Sequence, residues 1–395
     1  MLLIFSLGTS NVGQSQEKRD KTFPIPRSID PNTPHKVGQF TNLATISPSC
    51  KVSKSDAPFV FKKNVRDLSG IKIADFTIKD YISKHNVMGF TVIRGDTIID
   101  QQFRFERRES DLFTTMSVSK SIVGILVGIA QKEGFIFSLD DPVKKYAERV
   151  RYSAYGDLSI RSLLRMSSGV AVDEIYPVKP KTDGYDFFVE AMFIPKPSVI
   201  SAINNVKKRS TGEGKVFNYA SVETGVLAEV VRGATKQSLC QFMRDKLWQP
   251  IGAEYDAFWN VDGEGLEYGY GWLNVAQVDI AKVAMLLTNG GVKDGRQILS
   301  AEYIDEATNI DRQPQGFRKV NDRNEPEKSA GYGFQFWLNS VPGKYFMQGA
   351  FGQYVLIHNQ SKTILVINSA DNVYLNDLRT KRTLKIFDEL ISHEF

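Results

Sequence analysis

The segment from Ser117 to Glu133, SVSKSIVGILVGIAQKE, constrains this chain more than any other. Its Ile122, Val123, Ile125, Leu126, Val127 and Ile129 would cover almost the whole circumference of a helix. A helix that is apolar nearly all round must be surrounded by protein, not laid on a surface. Serine and threonine residues just before it suit an N-cap, and Gly134 suits the stop. The chain must therefore wrap a core around one central helix, and 395 residues with 42% hydrophobic and 24% charged composition can do so.

The remaining pattern predicts how the wrapping is done. Residues 1–15 begin MLLIFSLG and read as a signal segment too short to span a bilayer, the alternative being a packed or disordered start. Residues 16–58 are rich in Pro, Ser, Thr, Asn and Lys and read as an irregular leader. Residues 59–395 read as a single domain. Within it FTVIRGDTIIDQQFRF, from Phe90, gives two β-rich runs around Arg94, Gly95 and Asp96, a hairpin signal. Helical patterns over 159–166, 220–232, 236–248 and 279–287 make a helical subdomain of about 140–290. After Gly331 the runs YGFQFWL, KYFMQGAFGQYVLIHN and KTILVINSA are strand-like, and 377–393 closes as an amphipathic helix. The expected class is α+β: an antiparallel sheet made from N- and C-terminal strands, flanked by helices, with the helical subdomain inserted between them.

Several function classes drop out. The 50 basic and 45 acidic residues leave a net charge of +5, and clusters such as Lys62, Lys63 and Arg379, Lys381, Arg382 lie far apart and read as solvated faces. No nucleic-acid reader motif accompanies them. His35, His85, His358 and His393 have no metal-ligand spacing, so no metal and no cofactor are expected. Cys50 and Cys240 are too few for a disulfide scaffold and leave the compartment undecided. No run of about 18 apolar residues predicts a membrane span.

Chemistry enters with the first four residues of the central helix. Ser117 and Lys120 stand three apart, on one helical face. A lysine buried beside that hydroxyl would have its charged form disfavoured and could take the serine proton near neutral pH. Ser15 to Lys18 and Ser69 to Lys72 share the spacing, but only Ser117 opens an apolar helix, whose amides favour negative charge at the reacting centre. About a hundred residues on, Asn218-Tyr219-Ala220-Ser221 precedes a helical run; its phenol could pass a proton to a leaving group. No serine sits in a GxSxG elbow, which argues against a triad through His358.

These elements, with LLRMSSG at 163–169, SLDDPV at 138–143 and MQGAFGQY at 347–354, resemble in order the serine β-lactamase and penicillin-binding-protein superfamily. The likeness runs from about residue 85 to the C-terminus and is nearest to 6-aminohexanoate-dimer hydrolases and family VIII carboxylesterases, which carry Tyr-x-Ser where penicillin-directed members carry Tyr-x-Asn. The resemblance implies a serine hydrolase with Ser117 as nucleophile, Lys120 as base and Tyr219 as proton relay. It implies an oxyanion hole from the amides of Ser117 and Ala350, and substrate contacts from Ser221, Gln348 and Gly349. Tyr185 and Trp272, read as loop aromatics, are added as candidate pocket residues. The superfamily's Lys-Thr-Gly falls on Met347-Gln348-Gly349, where Met347 cannot hold a substrate carboxylate, so a small-molecule ester or amide is expected in place of a lactam. A periplasmic or secreted location is expected, with the cytoplasm as the alternative.

Overall fold

The computed structural model describes residues 37–172, 174, 198–314 and 330–394. The expected irregular leader fails from residue 37 onward. Helix α1 (Val37–Ile46) buries Val37, Phe40 and Leu43, one per turn. Strand β1 (Ser49–Val52) then pairs antiparallel with Ala257–Asn260, Ser49 opposite Asn260 and Val52 opposite Ala257. The Asn260 amide also reaches the carbonyls of Leu43, Ser47 and Pro48, closing the turn after α1. A four-residue strand whose partner lies some two hundred residues away has almost no local signature, because pairing and not propensity decides it.

That pairing matters for the site. The small sheet runs β1, Ala257–Asn260, Leu273–Val275, Phe113–Thr114, so its last strand delivers the chain to Ser117. Cys50 on β1 and Cys240 on the Leu239–Met243 helix form a disulfide across 190 residues, stapling this sheet to the helical region. A bridge closing so long a loop restricts the unfolded chain strongly. Replacing both cysteines by alanine is expected to lower the unfolding free energy by roughly 2–5 kcal/mol. Urea unfolding of the two proteins checks this, and coincident transitions would contradict it.

The principal sheet has eight strands. Strands β2 (Val87–Arg94) and β3 (Thr97–Phe103) form the expected hairpin, with Gly95 at φ +60° in its turn. Helix α2 (Val118–Lys132) is the central helix, and all but its last two residues are buried. It packs on helix α3 (Ser221–Thr235), while helix α4 (Gln277–Thr288) lies against the sheet. Strands β4 (Lys344–Gly349), β5 (Gln353–His358) and β6 (Thr363–Ser369) follow, and the amphipathic helix α5 (Asp377–Ser392) closes the chain. Across the sheet the order is Gly331–Tyr332, Trp337–Leu338, β4, β5, β6, β2, β3, Lys62–Lys63, antiparallel save for the last pair.

Strand periodicity divides the core between the two faces. Ile364 and Val366 belong with Ile280 and Val283 of α4, whereas Leu365 and Ile367 belong with Leu384 and Phe387 of α5 and with Tyr81. The expected α+β architecture is thus the one the chain adopts. The middle is not purely helical, however: Ala257–Asn260 and Leu273–Val275 lie inside it and tie it to the N-terminal segment. Among the described residues no helix is long and apolar enough to cross a membrane.

Candidate active site

The turn before α2 fixes where Ser117 points. Thr115 donates to the Leu273 carbonyl from both its amide and its hydroxyl, 2.9 Å each. Its hydroxyl also contacts Ser119 Oγ at 3.0 Å, and Ser119 Oγ donates to Met116 O at 2.7 Å. These bonds hold Met116 at φ +50°, a conformation costing about 1 kcal/mol or more in a non-glycine residue and found where surroundings over-determine the backbone. Ser117 then enters the helix at φ −70° with no side-chain capping bond, leaving its half-buried hydroxyl uncommitted to the backbone.

One turn later Lys120 is 1% exposed, and its Nζ donates to Ser117 Oγ at 2.9 Å and to the Tyr270 carbonyl at 2.8 Å. Burial pushes this amine down to about 7, opposed by the Glu174 carboxylate, which favours the charged form. An amine that is partly neutral at physiological pH and touches a hydroxyl can accept its proton. Tyr219 completes the group: it lines the same cleft as Ser117, and its ring lies 5.2 Å from Lys120 Nζ and stacks on Trp337 at 5.6 Å. Burial holds the phenol far above its ordinary range, against the opposing effect of the Ser117 hydroxyl, so it remains a proton donor at neutral pH.

Strand β4 forms the opposite wall. A Cβ on Gly349 would stand 2.4 Å from the Thr115 carbonyl, so only glycine lets the strand end abut the turn that carries Ser117. Ser117, Tyr219, Trp337, Gln348, Gly349, Ala350, Tyr374 and Leu375 line the resulting small cleft, and none of them is basic. Neither the Ser117 nor the Ala350 amide donates to a turn or loop carbonyl of the described residues. The 371–376 loop is held from behind: Arg379 is fully buried, pairs with Asp371 at 2.8 Å and donates to the Val373 and Tyr374 carbonyls.

The structure thus brings Ser117, Lys120, Tyr219, Gln348, Gly349 and Ala350 together. Other expectations need correction. Ser221 is fully buried, and its hydroxyl donates to Glu174 at 2.8 Å, so it does not face the cleft. Trp272 is 2% exposed, packed edge-on against Tyr268 and Tyr270 behind Lys120, so it lies in the core and not in a pocket-lining loop. Arg379 is not on a solvated basic face. Met347 points into the core, and His358 bonds Ser361 Oγ at 2.7 Å. Tyr185 and the 1–15 segment lie outside the described residues. Sequence reasoning missed the Tyr270 carbonyl and Glu174; the first is a backbone atom, and the second reaches the site only through the fold.

The beta-lactamase family profile matches residues 85–387. A 6-aminohexanoate-dimer hydrolase from Paenarthrobacter ureafaciens is 26% identical over 277 residues, covering 69% of each chain. Among solved structures, a Bacillus anthracis protein provisionally named as a 6-aminohexanoate-dimer hydrolase superposes with a TM-score of 0.80 at 18% identity, over 92% of this chain and 96% of its own. EstCE1, a hydrolase with promiscuous acyltransferase activity, gives 0.60 at 14% identity, over 80% and 97%. With the match extending across most of its length, this chain belongs to the beta-lactamase family.

Proposed function

We propose that this protein is a serine hydrolase that cleaves a small carboxylic ester or amide through an acyl-enzyme on Ser117. The observation that carries the reading is the contact of Ser117 Oγ with an amine that burial holds at about 7. Neutral Lys120 takes the Ser117 proton as Oγ attacks the acyl carbon. The Ser117 and Ala350 amides receive the negative charge that develops on the carbonyl oxygen. As the tetrahedral adduct collapses, Tyr219 gives its proton to the departing alkoxide or amine and regains one from Lys120. Water then attacks the acyl group, surrendering its proton along the same path, and the acid leaves as Ser117 Oγ is reprotonated. The relatives named as a 6-aminohexanoate-dimer hydrolase and as a hydrolase with acyltransferase activity support an acyl-transfer site.

A penicillin-directed activity is disfavoured because no described residue of the cleft wall carries a positive charge and Met347 faces the core. Lacking a charge-assisted bond to the substrate carboxylate, a lactam loses the equivalent of about 100-fold in kcat/KM. Hydrolysis of p-nitrophenyl butyrate is therefore expected to exceed that of a chromogenic cephalosporin by about that factor. Equal or inverted specificity constants would return the reading to a β-lactamase or DD-peptidase. We further propose that the protein works outside a reducing cytoplasm, supported by the Cys50–Cys240 disulfide and the apolar start of the chain. Fractionation of the native host, with the protein recovered only from cytosol, would contradict it.

A further inference from the structure

Helix α3 begins without a competent cap of its own. Its N-cap residue is Ala220, which has no side-chain acceptor, and no side-chain capping bond arises from that position. The acceptor comes from a distant segment. Glu174 is 4% exposed, and its two oxygens receive the Ser221 amide at 2.5 Å and the Ser221 hydroxyl at 2.8 Å. A carboxylate placed there satisfies an orphan amide and lies at the positive end of the helix, where anions are favoured. Ser221 follows Tyr219 by only two residues, so the same bonds fix the entry of the segment that brings the phenol to Ser117.

The position of this carboxylate has a second consequence. The titratable groups facing Lys120 among the described residues are Tyr219, Tyr270 and Glu174. Both tyrosines are held neutral by burial, whereas the Glu174 carboxylate is a counter-charge that opposes the effect of desolvation on the amine.

We propose that Glu174 is a positioning residue: it caps α3 from outside, seats Tyr219, and supplies the negative charge against which Lys120 exchanges protons. This rests on the assignment of Lys120 as the base. Each function has its own signature. The cap controls how fast the site works, whereas the charge controls the pH at which it switches on.

The test is the pH profile of kcat/KM for p-nitrophenyl butyrate with the full-length wild type, Glu174→Gln and Glu174→Asp. The wild-type rate should rise through an acid limb near 7 as Lys120 loses its proton. In Glu174→Gln the ammonium loses its counter-charge, so the limb should move to lower pH by about 0.5 unit or more, with the plateau about fivefold lower. Glu174→Asp keeps the charge but shortens the cap, so its plateau should fall with the limb nearly in place. Glu174→Ala removes the charge without burying an amide, and the limb is read from whichever neutral variant folds by circular dichroism. Limbs that coincide with wild type in the neutral variants would overturn the proposal, whatever the plateaus do, because a merely structural glutamate moves rates alone. A wild-type profile with no acid limb would instead overturn the base assignment, and this inference with it.

Discussion

Ser117→Ala is expected to reduce ester hydrolysis by about 10⁴-fold or more while unfolding within a few degrees of wild type. The two halves of that expectation have separate origins. Activity falls because the neighbouring serines among the described residues are committed elsewhere: Ser119 to Met116 O and Thr115, Ser121 to the Gln335 carbonyl, and Ser221 to Glu174. Stability is spared because the Ser117 side chain makes no capping bond, and alanine is well tolerated at the start of a helix that thirteen buried residues of fifteen anchor. What alanine leaves behind is Lys120 with one fewer acceptor, still bonded to the Tyr270 carbonyl. A folded Ser117→Ala protein with a wild-type specificity constant would end the account.

Lys120→Met should abolish turnover equally and, unlike Ser117→Ala, make the protein more stable at neutral pH. The lysine is buried, and its folded-state value of about 7 lies well below the ordinary 10.5. Below about 7 the folded chain carries that charge inside an apolar wall; between about 7 and 10.5 the unfolded chain keeps a proton that the folded chain has released. Wild-type stability contributed by this group therefore rises with pH through the window. Methionine fills similar volume and needs no proton, so after allowance for two lost hydrogen bonds the variant should gain on the order of 2 kcal/mol at pH 6–7. That gain should shrink by about 1.4 kcal/mol per unit as pH rises through the window. Denaturant unfolding at pH 6.5 and 9 checks both points. A variant less stable than wild type at both pH values would show that the amine is not desolvated as described. The expected opposition of activity and stability is the usual cost of an activated group in a dry site.

What was legible in the sequence was what depends on near neighbours. Ser117 and Lys120 stand one turn apart on a helix whose apolar circumference announced its burial, and the Arg94 to Thr97 hairpin and the strands after Gly331 carry their own turn residues and alternation. Tyr219 and Gly349 became candidates through their order along the chain, as the family resemblance arranged them. The unreadable parts depend on distant partners. Nothing local says that Cys50 meets Cys240, that Ser49–Val52 pairs with Ala257–Asn260, or that Glu174 caps a helix beginning at Ser221. Direction was also hidden: Ser221, two residues from Tyr219, and Trp272, read as a loop aromatic, both turn inward, and Arg379, read as a solvated charge, is buried to hold the loop bearing Tyr374. Composition cannot distinguish a charge that faces water from one that supports a cleft wall.

The most direct measurement is intact-protein mass after incubation with a fluorophosphonate, with the modified peptide mapped, beside p-nitrophenyl butyrate turnover on the same sample. One adduct is expected, on Ser117, with loss of turnover in proportion to labelling. An adduct on another serine, or a folded protein that neither labels nor turns over ester, would contradict it, the second outcome pointing to a binding protein built on the same fold.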